Sequence, residues 1–287
     1  MLDSLSFSKK HGYQPIEMPL QLESINDNLR HYLWNELFYM FEAISSHFQN
    51  ASLLEPLIWV FWTGFFNKLY DDLPVENLSN PRWLKYLIQT FIKREFLLFK
   101  WHVVYDFLQF TAHKLKYLID KYGYLQSYLD SFTAGCDRAC EKENAPYRFI
   151  DNCIVRITDT IEITAIEAAL SDKDCAAEHI SQALKLLSHK EPGSDYYRQS
   201  CHESISAVEA IARKITGKTK ESLGELCKQL QLHKGYQKGL SNIFGYTSDE
   251  GGIRHSITDD MKNVNYEDAI FMLTMCSAFV NYIKSKP

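Results

Sequence analysis

The chain lacks the short signatures that announce most enzyme classes. No GxxxxGK[ST] run is present, so the loop that cradles nucleotide phosphates is missing. No GxSxG elbow offers a hydrolase nucleophile. The seven cysteines fall at no zinc spacing. Cys136 and Cys140 stand one turn apart on an expected helix, but no second pair of Cys or His accompanies them, so they read as structural thiols. His11, His31, His102, His113 and His179 have no second ligand at metal spacing. No metal and no cofactor is expected. Positive charge is not in excess either. The formal net charge is −5, so any nucleic-acid contact has to come from a local patch. One apolar run, Leu53 to Phe66, is shorter than the roughly 20 residues a membrane span needs. With Glu55 and Pro56 near its start it reads as a buried helix. An odd cysteine count without a signal sequence fits a reducing, cytoplasmic setting. Internal repeats and low-complexity tracts are absent.

What is present is an apolar fraction of 46% over 287 residues, enough for one large or two ordinary globular domains. The pattern is mainly helical. Leu22, Ile25, Leu29, Leu33, Leu37 and Met40 recur at three- and four-residue steps. Further helices are expected over Leu54–Tyr70, Pro81–Lys100, Trp101–Tyr122 and Leu125–Glu143. All five tryptophans (Trp34, Trp59, Trp62, Trp83, Trp101) lie in this first half, where they suit the interior of a bundle or the lining of a groove. Tyr147–Ile150 and Cys153–Thr158 flank the two-residue turn Asp151-Asn152 and read as a β-hairpin. Helices resume at Asp159, then over Asp174–His189, Asp195–Thr216 with a stop at Gly217, Ser222–Leu230 and Tyr266–Lys284. The expected organisation is an N-terminal helical domain over 1–145, a hairpin and connecting helix over 146–170, and a C-terminal up-and-down helical bundle over 171–287.

The densest chemistry sits at Phe244-Gly245-Tyr246-Thr247-Ser248-Asp249-Glu250-Gly251-Gly252-Ile253-Arg254-His255. Its glycines allow a sharp corner between two helix-like segments. Asp249 is a plausible N-cap for a helix beginning near Glu250, weakened at its start by Gly251 and Gly252. Arg254 has the planar fork that grips a phosphate, and His255 can move protons near neutral pH. The plainer reading is an ordinary ion pair from Arg254 to Asp249 or Glu203, with His255 capping a helix end. Glu203 and Glu209 lie on the expected long helix, about 120° apart around it. One is expected to face the corner and the other the surface. Arg198, Arg213, Lys214, Lys218, Lys220, Lys228, Lys234 and Lys238 form either a local basic patch for RNA or a solvated face.

These residues resemble a known family. Gly245-Tyr246-Thr247 followed by Asp249, Gly251, Gly252, Ile253, Arg254 and His255 is similar to the C-terminal signature of AbiJ-type proteins of the HEPN superfamily. Glu203–Glu209 resembles the long HEPN helix, and Cys276–Tyr282 its last helix. Phe7-Ser8-Lys9-Lys10-His11-Gly12-Tyr13, Leu29-Arg30 and Leu33-Trp34-Asn35 resemble the AbiJ-type N-terminal domain. The resemblance implies an abortive-infection or toxin role, with RNA as substrate and the N-terminal domain as regulator. It also implies a homodimer, and a phage component or cognate antitoxin as partner. In that pattern Arg254 and His255 are the catalytic pair. Glu203, Asp249, Gly251, Gly252 and Tyr246 support them, and Arg213, Lys214 and Lys218 contact RNA. The sequence departs from the pattern at one place. HEPN ribonucleases carry a His four to six residues after the motif's polar residue, where this chain has Asp259, Asp260 and Met261. Two readings therefore stay open, a metal-independent endoribonuclease and a non-catalytic module that binds RNA, nucleotide or protein.

Overall fold

The computed structural model describes residues 7–11, 19–47, 54–73, 80–122, 126–157, 159–188, 195–230, 232–246 and 264–286. The protein is mainly α, and among the described residues its sheet structure is one two-stranded hairpin. The chain divides into two compact units, Met1–Arg156 and Ile157–Pro287. The hairpin belongs to the first unit and the helix after it to the second.

In the first unit, α1 (Phe7–Lys10) is a single turn. Helix α2 (Asp27–His47) starts where Asn26 Oδ1 accepts from the Leu29 N–H at 2.7 Å, an N-cap that satisfies one orphan donor. Asn26 is itself anchored, its Nδ2 donating to Glu143 Oε2 at 3.2 Å. Gln21 Nε2 donates to the Glu143 carbonyl at 2.7 Å. Leu29, Leu33, Leu37, Phe41 and Ile44 form the buried stripe of α2, which packs mainly on α7 (Gln126–Lys142).

The apolar run is a buried helix, as its composition demands. Helix α3 (Leu54–Trp59) passes into a π-helical stretch, Val60–Phe65, and buries Leu57, Ile58, Phe61 and Trp62. It ends earlier than the periodicity predicts. Asn67 takes φ 51°, and Trp62 Nε1 donates to the Leu69 carbonyl at 2.8 Å, which folds the following segment back against the helix. Helix α4 (Pro81–Leu87) is capped by Asn80, continues through a second π-helical stretch, Ile88–Ile92, and leads into α5 (Lys93–Leu98). Helix α6 (Trp101–Tyr122) completes an aromatic core in which Phe107 meets Phe61 at 4.9 Å and Phe65 at 5.0 Å. All five tryptophans pack into or against this core.

The hairpin joins β1 (Arg148–Ile150) to β2 (Cys153–Val155), with Arg148 opposite Val155 and Ile150 opposite Cys153. Asp151 (φ 47°) and Asn152 (φ 64°) supply the two positive φ angles of its tight turn. Two strand N–H groups find side-chain acceptors: Phe149 donates to Asp137 Oδ1 at 2.8 Å, and Ile154 to Gln109 Oε1 at 2.6 Å. A sheet of two strands is thereby tied to α7 and α6.

The second unit is all helical among its described residues. Its elements are α8 (Thr160–Leu170), α9 (Cys175–Leu187), α10 (Tyr196–Thr216), α11 (Leu223–Gln229), α12 (Lys234–Tyr246) and α13 (Tyr266–Lys284). Four of these helices have a side-chain N-cap among the described residues. Asp159 accepts from Ile161 and Glu162, Asp174 from Ala177, and Ser222 and Asn265 form capping boxes with Glu225 and Asp268. Helix α10 stops at Gly217, whose φ of 69° closes the last turn through an N–H bond to the Arg213 carbonyl at 2.9 Å. It packs on α9 and α13, and α8 packs on α13 and α9. Fully buried Ala183, Ser200, Ser204, Ala207, Ala212 and Ala269 let these helices approach closely. The Ser200 hydroxyl donates to the Ala183 carbonyl at 2.8 Å.

Helix α12 departs from the sequence expectation. Phe244, Gly245 and Tyr246, read as the opening of the glycine corner, form the last turn of this helix. Helical hydrogen bonding holds Gly235, Gly239 and Gly245 in a conformation that their intrinsic preference disfavours.

Candidate functional site

Of the residues singled out at the corner, Asp249, Gly251, Gly252, Arg254 and His255 lie outside the described residues, and Tyr246 closes α12. The described part of the candidate site is the long helix α10 with its neighbours. Glu203, at the start of its third turn, does not sit as an isolated acid. Its Oε2 lies 2.7 Å from His179 Nδ1 on α9. A carboxylate only accepts, so Nδ1 carries the proton of this bond. The imidazole side chain is 40% exposed, against 25% for its carboxylate partner.

Glu209 lies further along α10 and is buried, not at the surface as one of the two acids was expected to be. Its Oε2 accepts from Arg213 Nη2 at 3.1 Å, one turn on. The Arg213 Nε is buried without a hydrogen-bond partner. Neither Glu203 nor Glu209 is therefore a free surface carboxylate.

The other two candidate RNA contacts are also engaged with acids. Lys214 Nζ is 3.3 Å from Asp174 Oδ2, and Lys218 Nζ is 3.9 Å from Glu221 Oε1. Both side chains are more than half exposed, so these pairs are worth at most about 1 kcal/mol each and exchange readily for another anion.

Asp174 is the hub of a larger clasp. Lys284, at the end of α13, reaches it at 3.2 Å and also reaches Asp172 at 3.0 Å. Burial pushes the Asp174 carboxyl up, but the Ala177 N–H and the Lys284 and Lys214 ammoniums outweigh it and hold the group below its ordinary value. The start of α9 is thus tied to the ends of α10 and α13. Sequence reasoning missed this clasp and the His179–Glu203 bond, because each joins residues on different helices.

The thiols divide by environment. Burial pushes Cys201 and Cys140 up to about 12 and Cys227 up to about 11, and it raises Cys136 and Cys276 as well. Those groups are inert in the folded protein. Cys175, the first residue of α9, is the one exposed cysteine of the seven. Among the described residues, no group of three or more His, Cys, Asp and Glu side chains is arranged to hold a metal ion. No helix among them is long and apolar enough to cross a membrane.

Comparison with known families decides the first part of the chain. The model of AbiJ N-terminal domain 4 matches residues 5–172. The chain belongs to the AbiJ family. Its AbiJ domain ties it to abortive infection. The matched segment takes in the whole first unit after its opening residues, the hairpin and α8, and ends in the turn before α9. Helix α8 therefore belongs to the AbiJ domain by sequence while packing on α13 and α9. No curated protein and no solved structure matches the chain.

Proposed function

We propose that this AbiJ protein is a metal-independent endoribonuclease of the HEPN type acting in abortive infection, with the second unit as the catalytic module and the first as its regulator. The observation that carries this reading is the pairing of an AbiJ domain over residues 5–172 with the Gly251-Gly252-Ile253-Arg254-His255 corner in the segment that follows.

The chemistry requires a base for the 2′-hydroxyl proton, a cation for the phosphorane and an acid for the leaving oxygen. His255 takes the 2′-proton and Arg254 supplies the positive charge. The attacking 2′-oxygen closes a 2′,3′-cyclic phosphate and releases a 5′-hydroxyl. One His per chain is short of an acid–base pair, and a homodimer with both corners facing one groove supplies the second. Lys214 and Lys218, exposed and weakly paired, are the phosphate contacts that cost least to redirect, whereas Arg213 is committed to buried Glu209 and positions that carboxylate.

The second reading is a non-catalytic HEPN module that binds RNA or a partner protein through the same corner. The observation favouring it is the missing later His, with Asp259, Asp260 and Met261 in its window. Expression of wild type and His255→Ala in cells, followed by growth and RNA integrity, separates the two. Catalysis predicts growth arrest with RNA fragmentation for wild type and neither for the variant. Intact RNA in both, with Arg254→Ala abolishing RNA or partner binding in vitro, establishes the binding module instead.

A further inference from the structure

One face of the first unit carries chemistry that the ribonuclease reading does not use. Residues 81–100 hold five cations, Arg82, Lys85, Lys93, Arg94 and Lys100, and a single acid, Glu95, in a chain whose net charge is −5. Most of this stretch is the continuous run of α4, the π-helical stretch and α5. Its inner side is buried Leu84, Leu87, Ile88, Ile92 and Phe96. Its outer side shows exposed Arg82, Tyr86, Thr90 and Arg94 at four-residue steps. Exposed Lys85, Gln89 and Lys93 form a second row beside them. Residues four apart are neighbours on a helix, but on a straight α-helix such a row drifts by about 40° per step. The π-helical stretch Ile88–Ile92 fits more residues into a turn and takes back part of that drift. Both rows therefore stay on one face.

Aromatic rings are set into the same face. Tyr86 is 46% exposed and stacks on Trp83, with ring centroids 5.0 Å apart and planes at 26°. Phe91 meets Tyr86 edge-on at 6.2 Å, and the Arg94 guanidinium lies over Phe91 at 5.7 Å. Trp83 and Phe91 pack against the aromatic core, so the exposed Tyr86 ring rests on fixed neighbours. The cations are open to a new anion. Among the described residues, Arg82 and Lys93 meet no carboxylate. Lys85 pairs with Glu42 at 2.8 Å, and Arg94 and Lys68 each lie 3.4 Å from Glu95. The Lys85 and Arg94 side chains are 46% and 60% exposed, so these pairs are weak and exchange readily.

We infer that this face of α4 and α5 binds single-stranded nucleic acid. Unpaired bases stack on Tyr86 and its partner Trp83, and Arg82, Lys85, Lys93 and Arg94 take the phosphates on either side. A positively charged track with aromatic rings along it is the arrangement that holds a single strand without reading its sequence. Duplex bases are already stacked and offer such a ring nothing. An anionic membrane would meet the same cations, but the two exposed rows hold no aliphatic side chain to enter it. The inference gives the AbiJ unit a ligand of its own and stands whether or not the Arg254–His255 corner cuts RNA.

The test is equilibrium binding of the full chain to fluorescent oligo(dT) and to fluorescent 2′-O-methyl oligo(U). Neither strand has the 2′-hydroxyl that cleavage needs, so the result is independent of ribonuclease activity. Tyr86→Ala weakens binding at least about fivefold, and Tyr86→Phe, which keeps the ring, restores it. Lys93→Gln lowers the slope of log affinity against log salt by about 0.7, the loss of one phosphate contact on a single strand. Photo-crosslinking of oligo(5-bromodeoxyuridine) followed by peptide mapping marks Trp83 or Tyr86. Binding of one strand and not the other supports the surface and identifies its sugar. Tryptophan fluorescence reports folding of each variant. If Tyr86→Ala is unfolded, Arg82→Glu with Lys93→Glu, both at exposed positions, takes its place and abolishes binding. The inference is overturned if folded Tyr86→Ala binds as wild type, or if crosslinks fall only in the second unit. It is equally overturned if neither strand binds, including the case in which vesicles of phosphatidylcholine with phosphatidylserine bind instead.

Discussion

The two units bury different kinds of surface. In the first, Trp34, Phe41, Phe61, Trp62, Phe96, Phe107, Phe132 and Phe149 are buried, whereas among the described residues of the second the buried aromatic is Phe244. The second unit is built instead on Ala, Ser, Ile and Leu between closely spaced helices, with ionic clasps around their ends. Large aromatic rings fill space by interlocking, so the first unit depends on shape. Small side chains permit close backbone approach, so the second depends on nothing larger intruding. The described helix-to-helix carboxylate–cation and carboxylate–imidazole contacts of the second unit gather on α9, α10 and α13.

The largest effect expected from breaking this contrast is in the aromatic core. Phe107 is fully buried and meets Phe61, Phe65, Phe66, Phe96 and Phe99. Phe107→Ala is expected to cost about 3–5 kcal/mol. Because all five tryptophans lie in the first unit, urea unfolding followed by tryptophan fluorescence reports that loss directly. Next comes overpacking of the second unit. Ala207 and Ala212 are fully buried on α10, so Ala207→Leu is expected to cost about 1–3 kcal/mol. Amide exchange should show faster opening of α10, with tryptophan fluorescence unchanged.

The smallest effect tests the clasp. Asp174→Ala removes a helix cap and two ammonium partners and is expected to cost about 1–2 kcal/mol. Asp174→Asn keeps the cap and isolates the charge. The folded-state carboxyl is held below its ordinary value, so its stabilisation is present above the unfolded pKa of about 4. It is lost as pH falls through the lower folded value. The stability gap between wild type and Asp174→Asn should therefore be full at neutral pH and close under acid, read by thermal unfolding across that range.

Much of the fold was legible because local rules decide it. The stop at Gly217, the turn at Asp151-Asn152 and the starts at Asp159 and Asp174 each follow from one residue's backbone or capping preference. Trp101–Tyr122 was legible from periodicity alone. Helix α12 was not, because Gly245 at its end reads with the corner and Gly235 and Gly239 weaken a helical pattern, while packing on α11 and the contact of Tyr236 with Tyr282 of α13 act between elements. The π-helical stretches at Val60–Phe65 and Ile88–Ile92 leave no mark on a three-to-four-residue pattern, since each runs for little more than one turn. At the candidate site, the angle between Glu203 and Glu209 follows from helix geometry, but their surroundings do not. The partner of Glu203 is 24 residues away on another helix, and no spacing rule reaches that far.

The central claim is that the second unit cuts RNA at the Arg254–His255 corner without a metal. It is tested most directly by incubating purified protein with RNA in EDTA and identifying the new ends. The account predicts cleavage that survives EDTA, leaves 2′,3′-cyclic phosphate and 5′-hydroxyl ends, spares DNA and falls at least about a hundredfold in Arg254→Ala. Strict Mg²⁺ dependence, 5′-phosphate ends or cleavage of DNA would contradict it.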